Sequence, residues 1–185
     1  MKNIFILLVT IGLLTSCDYQ KLDHKETVKQ YYNAFDSGNF DELNAVINDS
    51  ITIVSGEFTT SYDYDSFHKF FKWDSIFKPS YEIIDLKEKN NDIFATIAQK
   101  NIRNEFLKNN PLKFKVKITF EADKISKIEE LEYIDVNWNI WAQKRDSLET
   151  WVELNHQTLD GYVNDMTMKG AINYTKAIEL YEALE

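Results

Sequence analysis

Cysteine is nearly absent from this chain: Cys17 is the only one in 185 residues. No disulfide can form within it, so the fold must be held by its core alone. Arginine is almost as scarce, two residues against nineteen lysines, which reads as genome composition rather than function. Basic charge is short overall, with 21 Lys and Arg against 30 Asp and Glu and a formal net charge of −9. That balance argues against nucleic acid, which requires basic patches, and against electrostatic adhesion to anionic lipid. The chain has no GxGxxG, GxxxxGK[ST], GxSxG or CxxC, so nucleotide binding, serine hydrolysis and redox catalysis have no signal. No cofactor and no metal are expected. Two prolines and five glycines leave no linker-like stretch, and there are no repeats or low-complexity tracts. Long apolar runs are missing too. Residues 4–14 form an eleven-residue run, the length of a signal-peptide core and short of the ~20 residues that span a bilayer.

What is present starts with that run. It follows Met1-Lys2-Asn3 and ends in Leu14-Thr15-Ser16-Cys17. These four residues resemble the bacterial lipobox, which implies cleavage before Cys17 and lipid, palmitate included, on the cysteine. The expected organisation is a lipoprotein signal peptide over residues 1–16, a tether over 17–22, a domain over 23–134 and a helical extension over 135–185 docked on the same domain. Removing residues 1–16 from 185 leaves 169 with charge −10 because Lys2 is lost, within one domain's usual size. The expected location is the cell envelope, anchored to a membrane through Cys17. The outer membrane, on its periplasmic or surface face, is preferred over the inner.

Residues 26–56 organise the rest. Val28, Tyr31, Tyr32 and Phe35 stand at i, i+3, i+4 and i+7, one apolar stripe on a helix. Asp23 and Glu26 have capping-box spacing, Gly38 ends the helix, and Asn39 caps a second over 40–47. Residues 51–58 read as a strand. An aromatic-rich helix follows over 66–78, stopped by Pro79 and buried on more than one side. Strands are expected over 81–87 and 93–103, with a polar loop over 105–111. Phe114, Val116, Ile118 and Phe120 then alternate with Lys113, Lys115, Lys117 and Thr119, placing one face inward and the other in solvent. In the last strand, 124–134, the apolar spacing slips between Ile125 and Ile128, which indicates a sheet-curling bulge. In the tail, Ile140, Trp141, Leu148, Trp151, Val152 and Leu159 follow helical spacing. Gly161 breaks it, and Ala171, Tyr174, Ile178 and Tyr181 mark a final helix.

The order of elements resembles the NTF2-like family, SnoaL-like in bacterial members, over residues 26–134. VKQYYNAFDSGNFDEL, ITIVSG and KITFEADKISKIEELEYI carry the resemblance. It implies an α+β fold, a strongly curved antiparallel sheet wrapped around N-terminal helices into a cone, with the C-terminal helices packed on it. The first helix also resembles that of the ketosteroid isomerases of this superfamily. Their oxyanion-donor tyrosine falls on Tyr31, while their two carboxylate positions fall near Ser55 and Val116, neither of them acidic. Tyr31 therefore reads as a core aromatic with its hydroxyl satisfied.

Other candidates are weaker. Asp65 and His68 share a helix face and could form a general base, but a surface pair is preferred. Glu57 reads as rim and His24 as surface. Glu153, His156 and Asp160 could hold a metal only poorly. Trp138, Trp141 and Trp151 read as packing rather than as a lid. The expected pocket is lined by Tyr31, Phe35, Ser55, Trp73, Phe114 and Val116. The reading preferred on sequence is a non-catalytic module binding a small apolar ligand or a partner protein, with a homodimer left open. The rival is a small cofactor-independent isomerase, dehydratase or cyclase. Two or more ionisable groups converging inside the cone are the feature that favours the rival.

Overall fold

The computed structural model describes residues 23–184. The expected signal peptide and the whole of the expected tether, Cys17 included, lie outside the described residues. The first helix, α1 (His24–Ser37), buries all four residues of the stripe, each no more than 5% exposed. Gly38 closes it at φ 67°. The capping box is not formed. The Asp23 carboxylate accepts from Lys25 N at 2.9 Å, and Glu26 pairs with Lys29 instead. Asn39 caps α2 (Phe40–Val46) as expected, accepting from Glu42 N.

The single strand expected over 51–58 is a hairpin. β1 (Ile47–Ser55) turns through Gly56, at φ 58°, into β2 (Phe58–Asp63), and the two pair antiparallel. Strand β2 is almost wholly exposed and polar, so it carries no alternating apolar signal. Asp63 and Ser66 form a capping box that starts α3 (Tyr64–Ser75) two residues earlier than expected. β3 (Ser80–Lys89) and β4 (Asp92–Lys100) follow. Residues 105–111 are not simply a loop. Asn101 caps a short helix, α4 (Ile102–Phe106), and Phe106 and Leu107 are buried.

β5 (Leu112–Glu121) buries Phe114, Val116, Ile118 and Phe120 and turns the residues between them outward, as the alternation requires. β6 (Lys124–Ile134) pairs with it through two register shifts. One leaves Ser126 unpaired, where the spacing slips between Ile125 and Ile128. The other leaves Leu131 unpaired. The sheet order is β2-β1-β6-β5-β4-β3, and only β1–β6 is parallel among the described strands. The bulges increase local twist, and the sheet curls around α1.

Two hydrophobic clusters fill the molecule. One joins α1, α2, Phe67 and Phe71 to the inner face of the sheet. The other joins Trp73, Phe77, Phe106 and Leu107 to α5 (Trp138–Asn155) and α6 (Met168–Glu182). Helix α3 contributes to both, and Phe70 packs against each. This is why its aromatics occupy most of its circumference. Within the tail, Leu148, Val152, Ala171, Tyr174, Ala177 and Ile178 are buried, while Trp138 and Ile140 are exposed. Gly170 lets α6 approach the preceding turn: a Cβ there would stand 2.0 Å from the Asp165 carbonyl oxygen.

Candidate functional site

The cone encloses a cavity of about 370 Å³. Tyr31, Phe35, Ser55, Trp73, Phe114 and Val116 all line it. They arrive from α1, β1, α3 and β5, so the helical stripe and the inward sheet positions meet at one place. Sequence reasoning missed the polar members of the wall: Tyr32, Asp74, Tyr81, Gln99, Arg103, Glu130 and Tyr133.

Asp74 lies in the last turn of α3 and is 3% exposed. Burial pushes its carboxyl up to about 6, while Arg103 and the hydrogen bond from Tyr81 act in the opposite direction. The Tyr81 hydroxyl donates to Asp74 Oδ2 at 3.3 Å and accepts from Gln99 Nε2 at 2.7 Å. Gln99 Oε1 in turn accepts from Asn104 Nδ2 at 3.2 Å. A polar chain thus runs from α4 across β4 and β3 to the cavity carboxyl. In low dielectric such a chain fixes its members in place.

Glu130 is the second cavity carboxyl. In the parallel pairing it stands opposite Ser55, and in the antiparallel pairing it stands opposite Val116. The two positions that lack carboxylates in the sequence therefore flank one that has it. Ser55 Oγ and Tyr133 Oη both donate to Glu130 Oε2. The Leu131 bulge explains Tyr133. An unbroken strand with Glu130 inward would point residue 132 inward. The extra residue sends Glu132 outward to Lys115, at 2.7 Å, and Tyr133 into the cavity. Burial, then the neighbouring Glu130, pushes the Tyr133 phenol up to about 12.

Burial also raises Tyr31 and Tyr32 well above the ordinary phenol range. Both stay protonated at neutral pH and can donate. Among the described residues neither hydroxyl takes part in a hydrogen bond, which corrects the expectation of a satisfied Tyr31. The wall also carries Asp74, Glu130 and Arg103, ionisable groups beyond the six expected lining residues.

The remaining candidates lie elsewhere. Glu57 and Asp65 are exposed, and His68 stacks on Phe40 at 4.1 Å; none of them lines the cavity. His24 is 2% exposed rather than on the surface, stacked on Phe120 at 3.9 Å, with Asp123 3.4 Å from Nε2. His156 packs beside Trp151. Among the described residues no group of three or more His, Cys, Asp or Glu side chains is placed to hold a metal ion, and no helix is long and apolar enough to cross a membrane. The tail does wall the cavity, but through Val163, Met166 and Tyr174 rather than through its tryptophans.

No protein-family profile matches the chain, and none of the curated proteins matches it. Likeness to solved structures is at the level of fold. A protein from Kribbella flavida is 11% identical, with a TM-score of 0.51 over 66% of this chain and 93% of that one. An NTF2-like protein of unknown function from Cytophaga hutchinsonii is 11% identical, with a TM-score of 0.49 over 63% and 94%. An NTF2-like protein of unknown function from an Exiguobacterium species is 15% identical, with a TM-score of 0.45 over 60% and 99%. The two N-terminal helices inside a bulged, curled six-stranded sheet are the α+β cone that the sequence resemblance to the NTF2-like family implies.

Proposed function

We propose that the cone binds a small, largely apolar molecule and acts on it by acid–base chemistry without a cofactor, as an isomerase, dehydratase or cyclase. One observation carries this reading: Asp74 from a helix and Glu130 from the sheet line the same cavity with protonated phenols. Asp74 exchanges its proton near neutral pH, the property wanted in a group that both takes and returns one. A carboxylate that removes a proton beside a substrate carbonyl leaves an enolate oxygen. Tyr31 or Tyr32 can donate a hydrogen bond to it, and the protonated carboxyl then returns the proton to a different carbon.

The test is proton exchange and isomerisation on a panel of apolar ketones. Asp74→Asn should lower the rate ~10²–10⁴-fold, and Tyr31→Phe should lower it as well. Ligand binding without turnover of any panel member would leave the second reading, a non-catalytic binding module. Its support is that Glu130 and Asp74 already accept hydrogen bonds from protein groups.

The second part of the proposal concerns location. The residues at 14–17 support cleavage before Cys17 and lipid attachment to it, holding the cone at the cell envelope. One acyl chain binds marginally, and several together hold stably. Cys17→Ser should give uncleaved or soluble material, and membrane-bound protein of mature mass from that variant would refute the anchor.

A further inference from the structure

Arg103 is the one cation among the residues that line the cavity. Its guanidinium carbon lies 5.0 Å from the Trp73 ring centroid and 5.3 Å from that of Phe77. Both rings are buried, so the planar head is held against an aromatic surface while its edge borders the cavity. Among the described residues it takes part in no hydrogen bond through its side chain and in no ion pair within 4 Å. Asp74 feels its charge without touching it. The contrast is Arg145, the only other arginine. It also stacks on a tryptophan, Trp141, at 4.9 Å, but its fork is used by Asp146 at 2.6 and 2.8 Å.

A guanidinium carries five donors in a rigid fork that matches the two oxygens of a carboxylate, and it keeps its charge when partly buried. We infer that Arg103 receives a carboxylate of the ligand, so that the molecule taken by the cone is a small apolar acid whose body lies among Phe35, Phe70 and Phe114. The inference rests on the small-molecule reading above and narrows its substrate class. Bidentate pairing fixes orientation as well as energy. The anionic end is held at α4, and the rest of the molecule is directed into the cone toward the tyrosines of α1. The chain's net charge of −9 makes this fit specific rather than general, because its overall field repels anions.

The experiment compares 2-naphthylacetate with its methyl ester, which keeps the apolar body and removes the charge. Binding of each to the folded protein is measured by calorimetry and by tryptophan quenching. Hydrogen bonds to a charged group correspond to a preference for the acid of about ten- to a hundredfold in the wild type. Arg103→Gln should abolish the preference by weakening the acid at least tenfold more than the ester. Arg103→Lys keeps the charge but loses the fork and the stack, so it should retain an intermediate preference. The lysine variant also decides the matter if the glutamine variant does not fold. Equal affinity of acid and ester for the wild type overturns the carboxylate while leaving the small-molecule site standing. A preference that survives in Arg103→Gln overturns the assignment to this residue. Failure of both probes to bind overturns the cavity reading and this inference with it.

Discussion

The Tyr81 hydroxyl lies 3.3 Å from Asp74 Oδ2 and is itself held by Gln99 at 2.7 Å. It is therefore a positioned donor to a buried carboxyl, and it favours the charged form against the pull of burial. Tyr81→Phe should move the Asp74 midpoint upward from about 6. Carboxyl-carbon NMR of the two proteins reads that directly, and an unchanged or lowered midpoint would contradict the donor role.

The same carboxyl makes stability depend on pH. Its folded value, about 6, is above its ordinary 3.8, so between those values the folded state holds the extra proton. Its contribution is fully favourable below 3.8 and is lost as pH rises through about 6. The loss is on the order of 2–3 kcal/mol at neutral pH. Asp74→Asn should remove that slope and melt higher than the wild type at pH 7.5. Parallel stability–pH curves for the two proteins would show that the carboxyl is not shifted.

Ligand binding should follow the same titration. Above pH 6 the Asp74 charge repels a ligand carboxylate that Arg103 attracts. An anionic probe should therefore bind more tightly at pH 5.5 than at pH 7.5, and its uncharged ester should not. In Asp74→Asn the acid's pH dependence should flatten.

The sheet register has its own test. Val116 is 1% exposed and faces Glu130, whereas Lys115 points outward to Glu132. Val116→Asp buries an unpaired charge beside an existing carboxyl and should unfold the domain or come close. Lys115→Asp removes one surface ion pair, ~0–1 kcal/mol. Equal melting temperatures would refute the register.

Gly170 reverses a general rule. Replacing a helical glycine by alanine ordinarily gains up to about 1 kcal/mol, and Gly170 stands in the first turn of α6. Here the new methyl meets the Asp165 carbonyl at 2.0 Å, and overpacking of this kind costs ~1–3 kcal/mol. Gly170→Ala should destabilise the protein in chemical denaturation. It should also weaken ligand binding, because Val163 and Met166, just before that contact, wall the cavity. A stabilised variant would show that the turn yields freely.

Periodic features were legible in the chain itself. The α1 stripe, the alternation of β5 and the slip near Ser126 each follow from side-chain direction on a regular element, and the first two supply four of the six expected cavity residues, Tyr31, Phe35, Phe114 and Val116. What was hidden depended on pairing between strands. Glu130 is one acidic residue in a run of polar ones, and only its neighbours across the sheet, Ser55 and Val116, give it a site. The Leu131 bulge is silent in the sequence because Leu131 and Tyr133 fit an unbroken alternation just as well. Asp74 stood among aromatics whose second cluster, supplied by α5 and α6, could not be foreseen from α3 alone. Strand β2 and helix α4 were missed because short polar elements carry little hydrophobic pattern.

The parallel pairing of β1 with β6 bears on how the cavity comes to be formed at all. It joins Ser55 to Glu130 across 75 residues, while β3–β4 and β5–β6 close through tight turns. Ends far apart in sequence meet late, because their encounter costs more chain entropy than a hairpin does. The meander from β3 to β6 should then form before β1 docks, and a nascent chain should hold most of its structure while its cavity is still open on one side. Competence would arrive in a single closing step, when the N-terminal third of the molecule seals the cone.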